Sequence, residues 1–339
     1  MRRRADPTSW TGRSDPVEGP RAVRWHDRIR PLAPGEAGAP GVALLGFACD
    51  VGVARNQGRP GAAEGPAALR RALAGVAWHG TRPLWDAGDV VPDMGPRDGV
   101  PDMGRADGVP DMGGVVPDGE ALEAAQAELG EAVARLLDAG HLPVVVGGGH
   151  EVAAGSFLGL AAWAARRSPA RRLGVVNLDA HLDLRAGRAS SGTPFRQIAE
   201  ACAARGWPFR YLCVGVDEAS NTGALFDTAA RLGARWRRDR EATPGRLDEA
   251  RAELAAFVAT VEAVHLSVDL DALPAAVAPG VSAPAARGLA LEVVEGLVDV
   301  VLGAGKLALF EVAELAPRFD VDGRTARVAA RLVDQVARQ

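Results

Sequence analysis

Lysine is almost missing from this sequence. Lys306 is the only one, so arginine supplies the rest of the 39 basic residues. Against 43 acidic residues the net charge is −4, and no basic stripe of the kind that follows a phosphate backbone is present, which argues against a nucleic-acid partner. Cysteine is scarce as well. Cys49, Cys202 and Cys213 are odd in number with no CxxC spacing, so neither a disulfide framework nor a zinc ribbon is encoded. Cys49 and Cys213 lie in or beside apolar runs, where a thiol serves as a small buried hydrophobe. No run of about 18 apolar residues is available to span a bilayer. After Met1-Arg2-Arg3-Arg4 no apolar stretch follows, so a secretory leader is not expected. Together these absences predict a cytoplasmic chain with no membrane partner.

What is present looks globular. Of 339 residues, 47% are apolar and 24% charged, which excludes a chain too polar to bury a core. Residues 1–40, rich in Arg, Pro and Gly, read as an irregular lead-in. From 41 to 339 short apolar runs alternate with longer helical patterns, as one domain. Strands are expected at 42–47, 83–86, 142–146, 172–178, 210–215, 234–236, 263–268 and 306–311. Helices are expected at 64–75, 119–139, 151–166, 194–205, 221–232, 246–261, 288–302 and 322–338. Continuously apolar strands alternating with helices imply a parallel sheet covered on both faces. Ligands bind such sheets beyond the carboxyl ends of the strands. One segment breaks the pattern. Val-Pro-Asp-Met-Gly recurs at 91–95, 100–104 and 109–113, and Val-Pro-Asp-Gly follows at 116–119. Proline with Asp-Gly favours turns, so 91–119 reads as a low-complexity loop away from the active site.

Three polar clusters each follow a strand directly: Gly147-Gly148-Gly149-His150-Glu151, Asp179-Ala180-His181-Leu182-Asp183 and Ser267-Val268-Asp269-Leu270-Asp271. In extended chain, positions i, i+2 and i+4 share a face. Asp179, His181 and Asp183 therefore converge, as do Asp269 and Asp271, and with His150 they place two imidazoles and four carboxylates at one end of one sheet. Four carboxylates so close would repel one another and take up protons unless cations neutralised them. Two divalent ions satisfy that count, and an oxygen-rich donor set with some imidazole favours manganese over a thiolate-selected metal. Two such ions can share and orient a hydroxide at neutral pH.

At these residues the sequence resembles the ureohydrolase family, which includes arginase, agmatinase and formimidoylglutamase. The family pattern GGGH, DAHxD, SxDxD and a later ExxP is matched by the clusters above and by Glu314-Leu315-Ala316-Pro317, where many relatives have asparagine at Ala316. The resemblance implies a three-layer α/β/α fold with an eight-stranded parallel sheet, and two Mn2+ ions. By it, His150 and His181 ligate different metals, Asp179 and Asp269 bridge, Asp183 joins the His150 metal and Asp271 the His181 metal. Glu314 would hydrogen-bond the nitrogen-rich amidine of a small-molecule substrate. Homo-oligomers are common in the family.

Four further segments resemble the formimidoylglutamase branch: the stretch 272–288 after the last metal motif, Ser190 to Phe195, Ser220-Asn221-Thr222, and Arg55 to Arg59 with Gly61-Ala62 and Gly65-Pro66. That branch hydrolyses N-formimidoyl-L-glutamate to glutamate and formamide, a step of histidine catabolism. A substrate with two carboxylates calls for forked, cationic donors. Arg185, two residues beyond Asp183, is the first candidate clamp and Arg287, in the stretch after the metal motif, the second. Asn221 and Thr222 either bond the substrate or cap the helix that begins there. Where arginase-like sequences carry a proton-shuttling loop histidine, Phe195 stands here, so the proton for the leaving nitrogen is left to Asp183 or to a water. His265 reads as a core group or a support behind the ligands. Two alternatives remain open at this point. One is an agmatinase or guanidino-acid hydrolase releasing urea, and the other a catalytically silent metal-binding regulator.

Overall fold

A computed structural model describes residues 1–93, 120–167 and 172–339. The strands are β1 (Arg2–Arg3), β2 (Ile29–Pro31), β3 (Val42–Phe47), β4 (Leu84–Val90), β5 (Leu142–Val146), β6 (Leu173–Leu178), β7 (Tyr211–Val216), β8 (Arg235–Arg238), β9 (Ala263–Asp269) and β10 (Leu307–Ala313). The helices are α1 (Trp25–Arg28), α2 (Val51–Arg55), α3 (Gly65–Ala74), α4 (Ala121–Asp138), α5 (Val152–Arg167), α6 (Pro194–Ala204), α7 (Gly223–Arg231), α8 (Leu247–Ala259), α9 (Leu291–Gly303) and α10 (Arg324–Ala337). Each of the eight expected strands and eight expected helices is present with ends shifted by a few residues. The 91–119 repeat lies outside the described residues beyond Asp93.

One sheet holds all ten strands, in the order β1-β4-β3-β5-β10-β9-β6-β7-β8, with β2 also on β4. The eight strands from β3 to β10 run parallel, as expected. The two extra strands come from the lead-in, which was read as irregular. β1 pairs antiparallel and β2 parallel with the same edge strand, β4. Runs this short carry no readable periodicity and exist only because a partner strand offers hydrogen bonds.

The inner parallel strands are mostly apolar because both faces are covered, whereas β4 carries Asp86 and Asp89 and β8, at the end of the sheet, is Arg-Trp-Arg-Arg and only partly buried. Leu44, Val176 and Leu266 face the layer of α3, α8, α9 and α10, while Leu45, Val175 and Phe47 face that of α4, α5, α6 and α7. The sandwich is three-layered. α4 and α5 meet backbone to backbone at Gly130 and Gly159, where a Cβ on Gly159 would lie 2.4 Å from the Gly130 carbonyl oxygen. That contact sets the position of α5, which starts right after His150-Glu151.

The lead-in is anchored by buried polar contacts. Trp25 is fully buried, donates its Nε1–H to Asp334 on α10 at 2.8 Å, and meets Trp78 edge-on. Trp10 donates to Asp86 on β4 at 2.7 Å.

The central four strands of the sheet, β5, β10, β9 and β6, are direct neighbours. Their carboxyl ends carry His150, Glu314, Asp269 with Asp271, and Asp179 to Asp183 respectively. The tertiary order of strands thus brings side chains far apart in sequence to one place.

Candidate dinuclear metal centre and substrate pocket

The GGGH turn needs its glycines for contact. A Cβ on Gly148 would lie 1.6 Å from the Cys49 carbonyl oxygen, so the backbone after β5 can pass under the Cys49 loop only without side chains. This passage delivers His150 to the sheet end, 1% exposed. Its Nε2 faces Ser267 Oγ at 2.9 Å. Its Nδ1 lies 3.1 Å from Asp179 Oδ2, 3.1 Å from Asp183 Oδ2 and 3.0 Å from Asp269 Oδ2. His181 presents Nδ1 to Asp271 Oδ2 at 3.1 Å and to Asp179 Oδ1 at 3.5 Å. Asp179 therefore stands between the two imidazoles, one oxygen toward each. All six residues expected to hold metal lie together, and two groups among them, His150-Asp179-Asp183 and Asp179-His181-Asp271, have ligand atoms close enough to share an ion.

The carboxylates are aimed by their surroundings. Asp179 accepts from Asn177 Nδ2 at 2.8 Å and from the His181 amide at 2.7 Å, and Asp269 accepts from the Asp271 amide at 2.8 Å. Phe195 does not enter the pocket. It is fully buried, edge-on to His150 with ring centroids 5.2 Å apart and stacked on Tyr211, where it braces the imidazole. Behind the site, buried His265 pairs with Glu311 at 3.0 Å.

The electrostatics fit a cation-binding site. Burial and the charge of Asp179 push the Asp183 carboxyl up to about 6. Burial, then Asp271 and Asp179, push Asp269 well above the carboxylate range, and burial raises Asp271 against the pull of His181. Asp179 goes the other way: burial opposes its charge, but hydrogen bonds from His150 and His181 hold it far below the ordinary value. Burial works against both imidazolium forms as well, yet the surrounding aspartates raise His150 and His181 well above their ordinary range. The cluster without cations must keep protons. Asp271 Oδ1 and Glu314 Oε2 are buried with no hydrogen-bond partner among the described residues. Orphaned oxygens in such a cluster suit hard divalent ions.

Glu314 ends β10. Its amide donates to the Gly148 carbonyl and its Oε1 accepts from the His150 amide, both at 2.8 Å, while burial, then Asp269 and Glu151, push its carboxyl up. Glu314, Asp183 and Gln57 have φ of 68°, 50° and 61°, and all three line the same cavity. Left-handed backbone at non-glycine residues is costly and concentrates at functional sites.

The cavity over the cluster measures about 310 Å³. Arg185 lines it, its amide donating to the Gly192 carbonyl at 3.0 Å. Asn221 also lines it, but its amide group is committed elsewhere. It accepts from the Leu182 amide at 3.0 Å and donates to the Ala180 and Asp217 carbonyls at 2.9 and 2.8 Å, bracing the DAHxD loop. Two expected substrate contacts are not brought in. Arg287 is exposed and pairs with Asp239 at 3.6 Å, outside the cavity lining. The loop from 274 to 285 closes on itself through paired Pro274 and Ala285, and Arg287 leaves it on the outer side. Thr222 is exposed at the start of α7, also outside the lining, and caps it without a side-chain hydrogen bond; its neighbour Ser220 faces the cavity instead. Asn56, Gln57, Arg59, Ser191 and Ser282 line the cavity although none was singled out from the sequence. They lie within the segments that carry the branch resemblance, which was their only signal.

Comparison with known proteins agrees with this geometry. Residues 40–338 match the model of the arginase family. A formimidoylglutamase of Chromobacterium violaceum is 50% identical over 330 residues, covering 97% of each chain. One of Ralstonia nicotianae is 51% identical over 341 residues, covering 99% of this chain and 96% of the relative. The crystal structure of Trypanosoma cruzi formiminoglutamase with Mn2+ superposes with a TM-score of 0.71 at 26% identity, over 88% of this chain and 93% of that one. The shared ligand motifs, the three-layer fold and these full-length similarities establish that the chain belongs to the arginase family.

Proposed function

We propose that the chain hydrolyses N-formimidoyl-L-glutamate to L-glutamate and formamide, with residues 41–339 acting as one catalytic domain. The observation that carries this reading is a pocket whose floor is built for cations and whose rim carries Arg185, for which no carboxylate partner is found among the described residues. A cationic guanidino substrate would call for acidic residues at that rim. The curated relatives at 50% and 51% identity bear the same activity in their names.

In this reading His150, Asp179, Asp183, His181, Asp269 and Asp271 hold two Mn2+ ions. When bound, the pair supplies Lewis acidity and an activated water at neutral pH. The chain does the rest. Arg185 takes a substrate carboxylate in forked hydrogen bonds. Glu314, fixed through Oε1 on the His150 amide, offers Oε2 to the N–H groups of the amidine and so presents the formimidoyl carbon to the water. Water adds to that carbon and gives up a proton to Asp183, the bond to the glutamate nitrogen breaks to release formamide, and that nitrogen takes the proton on from Asp183. Asn221 keeps the ligand loop in register. The same reading takes the chain to be cytoplasmic, as its composition suggests, and a homo-oligomer, as the family resemblance implies. Among the described residues no helix is long and apolar enough to cross a membrane.

The test is a substrate panel on manganese-loaded protein. Glutamate and formamide are expected from N-formimidoyl-L-glutamate, with no urea from agmatine, arginine or guanidinobutyrate. Urea would overturn the substrate assignment and spare the metal chemistry. No product from any of them at full metal loading would favour the silent regulator.

Metal affinity is also expected to rise with pH. The raised carboxyls of Asp183, Asp269 and Asp271 and the raised imidazoles of His150 and His181 hold protons that a metal must displace. Lowering the pH from about 8 to about 6 should weaken binding by roughly tenfold per pH unit for each proton displaced. Calorimetry in buffers of different ionisation enthalpy counts those protons; a flat affinity would contradict the ligand set.

A further inference from the structure

We propose that Arg59 is the second carboxylate clamp of this pocket, holding one of the two substrate carboxylates while Arg185 holds the other. This rests on the reading of the substrate as a formimidoyl diacid.

The two arginines stand against different walls. A Cβ on Gly192 would lie 2.7 Å from Arg185 Cδ and 3.0 Å from the Asn56 side chain, so Arg185 belongs to the wall formed by Asn56, Ser191 and Gly192. Arg59 belongs to the Ser282 wall. Its amide donates to Ser282 Oγ at 3.0 Å, its Nε to the Ser282 carbonyl at 2.9 Å and its Nη2 to the Val281 carbonyl at 2.7 Å. The guanidinium carbon lies 4.1 Å from the centre of the Phe319 ring. These partners are neutral. They fix the guanidinium without cancelling its charge, and no carboxylate pairs with it among the described residues. Arg55, Arg70, Arg237 and Arg246 sit on carboxylates. Arg2, Arg205, Arg318 and Arg324 share with Arg59 a backbone-carbonyl partner and no ion pair among the described residues, but of these only Arg59 lines the cavity over the metal cluster. Nη1 of Arg59 carries donors that none of these contacts uses, in a side chain that lines the cavity.

The loop bearing Arg59 is fastened to the catalytic floor. The Gly52 amide donates to Glu151 Oε1 at 2.8 Å, next to His150. Asp50 closes the loop by accepting from the Gly61 amide at 2.7 Å. Phe319, under the guanidinium, lies in the turn that follows Glu314. A carboxylate on Arg59 is thereby held in register with the amidine at Glu314. Pre-positioned, forked donors lose little freedom on binding.

The test uses full-length, manganese-loaded enzyme with R59Q, R59K and R185Q. The substrates are N-formimidoyl-L-glutamate, the 4-aminobutyrate derivative that lacks the α-carboxylate, and the L-2-aminobutyrate derivative that lacks the side-chain carboxylate. R59Q should raise KM for the diacid roughly 10- to 100-fold, the range of a lost charge-assisted hydrogen bond, with kcat changed far less. On one monoacid, R59Q and wild type should be equal; on the other, R185Q and wild type should be equal. R59K should recover part of the loss, since a point charge replaces the fork. Metal content and unfolding midpoint are measured on each variant to separate binding from folding. An unchanged KM, or an equal loss on the diacid and both monoacids, would overturn the clamp and leave Arg59 as loop support. If wild type turns over none of the formimidoyl compounds, the functional reading and the clamp both fall; if it turns over the diacid normally, only the clamp is at stake.

Discussion

Asp179→Ala is expected to lose metal and turnover together, with metal content falling from about two ions per chain toward none and kcat/KM falling by at least roughly 10³-fold. Among the described residues Asp179 is the one carboxylate that faces both imidazoles, His150 at 3.1 Å and His181 at 3.5 Å. Its two oxygens are aimed separately, one by the Asn177 amide group and one by the His181 backbone amide. It is also the carboxylate most strongly kept in its charged form, against full burial, by those two histidines. Removing it strips a shared ligand and leaves two imidazoles without the charge that orients them. Asp179→Asn tests the charge apart from the volume, since it keeps the shape of the side chain, and it too should lose metal. Metal-to-protein ratio after gel filtration and the glutamate assay are the measurements. A variant that kept both metal and activity would sink the assignment of the site.

The second large effect concerns stability. Asp86→Ala is expected to destabilise the fold by about 3 kcal/mol, the low end of the cost of breaking a buried ion pair, because Asp89 still faces Arg70. Asp86 is 1% and Arg70 4% exposed. The pair is forked: Arg70 Nε and Nη2 each reach an Asp86 oxygen at 2.9 Å, and Arg70 Nη1 reaches Asp89 at 2.7 Å. The same carboxylate accepts from Trp10 Nε1 and from the Gly88 amide, so it ties α3, β4 and the lead-in together. In Asp86→Ala the guanidinium stays buried without its forked partner, and Trp10 loses its anchor. Urea unfolding should show the loss, and limited proteolysis should cut the lead-in faster than in wild type. The double variant Arg70→Met with Asp86→Leu should recover much of the loss, because replacing both charges removes the desolvation cost along with the attraction. A loss under about 1 kcal/mol in Asp86→Ala would show that Asp89 or water suffices to hold the Arg70 charge.

The fold and the metal floor were legible in the sequence for one reason: both are written in short-range spacing. Val42–Phe47 and Leu173–Leu178 are buried at every position, so these inner parallel strands appear as mainly apolar runs, whereas β8, Arg-Trp-Arg-Arg at the end of the sheet, does not. Asp179, His181 and Asp183, like Asp269 and Asp271, were legible as polar clusters directly after apolar runs. They converge through the turns after β6 and β9, with Asp183 at φ 50° and Asp271 in the 3-10 turn Leu270–Ala272, rather than through an extended two-residue period. The short β1 and α2 were not legible. β1 is two residues held only by β4, and α2 is five residues whose Gly52 amide is held by Glu151, 99 positions away.

The rim was legible only in part, and tertiary structure decided it. Arg185 was readable because it follows Asp183 on the same loop. Arg59 and Arg287 look alike in a chain whose basic residues are nearly all arginine, yet Arg59 lines the cavity and Arg287 lies outside on Asp239. The contact that separates them joins Arg59 to Ser282 across 223 positions. Likewise Phe195 reads as a missing proton shuttle, and only packing shows it as the brace beneath His150. By itself the sequence determined which side chains end each strand, because backbone geometry settles that locally. Which strands lie side by side, and which loop residues turn inward, was decided by the packing of helices on both faces and by long-range polar contacts, for which no local spacing exists.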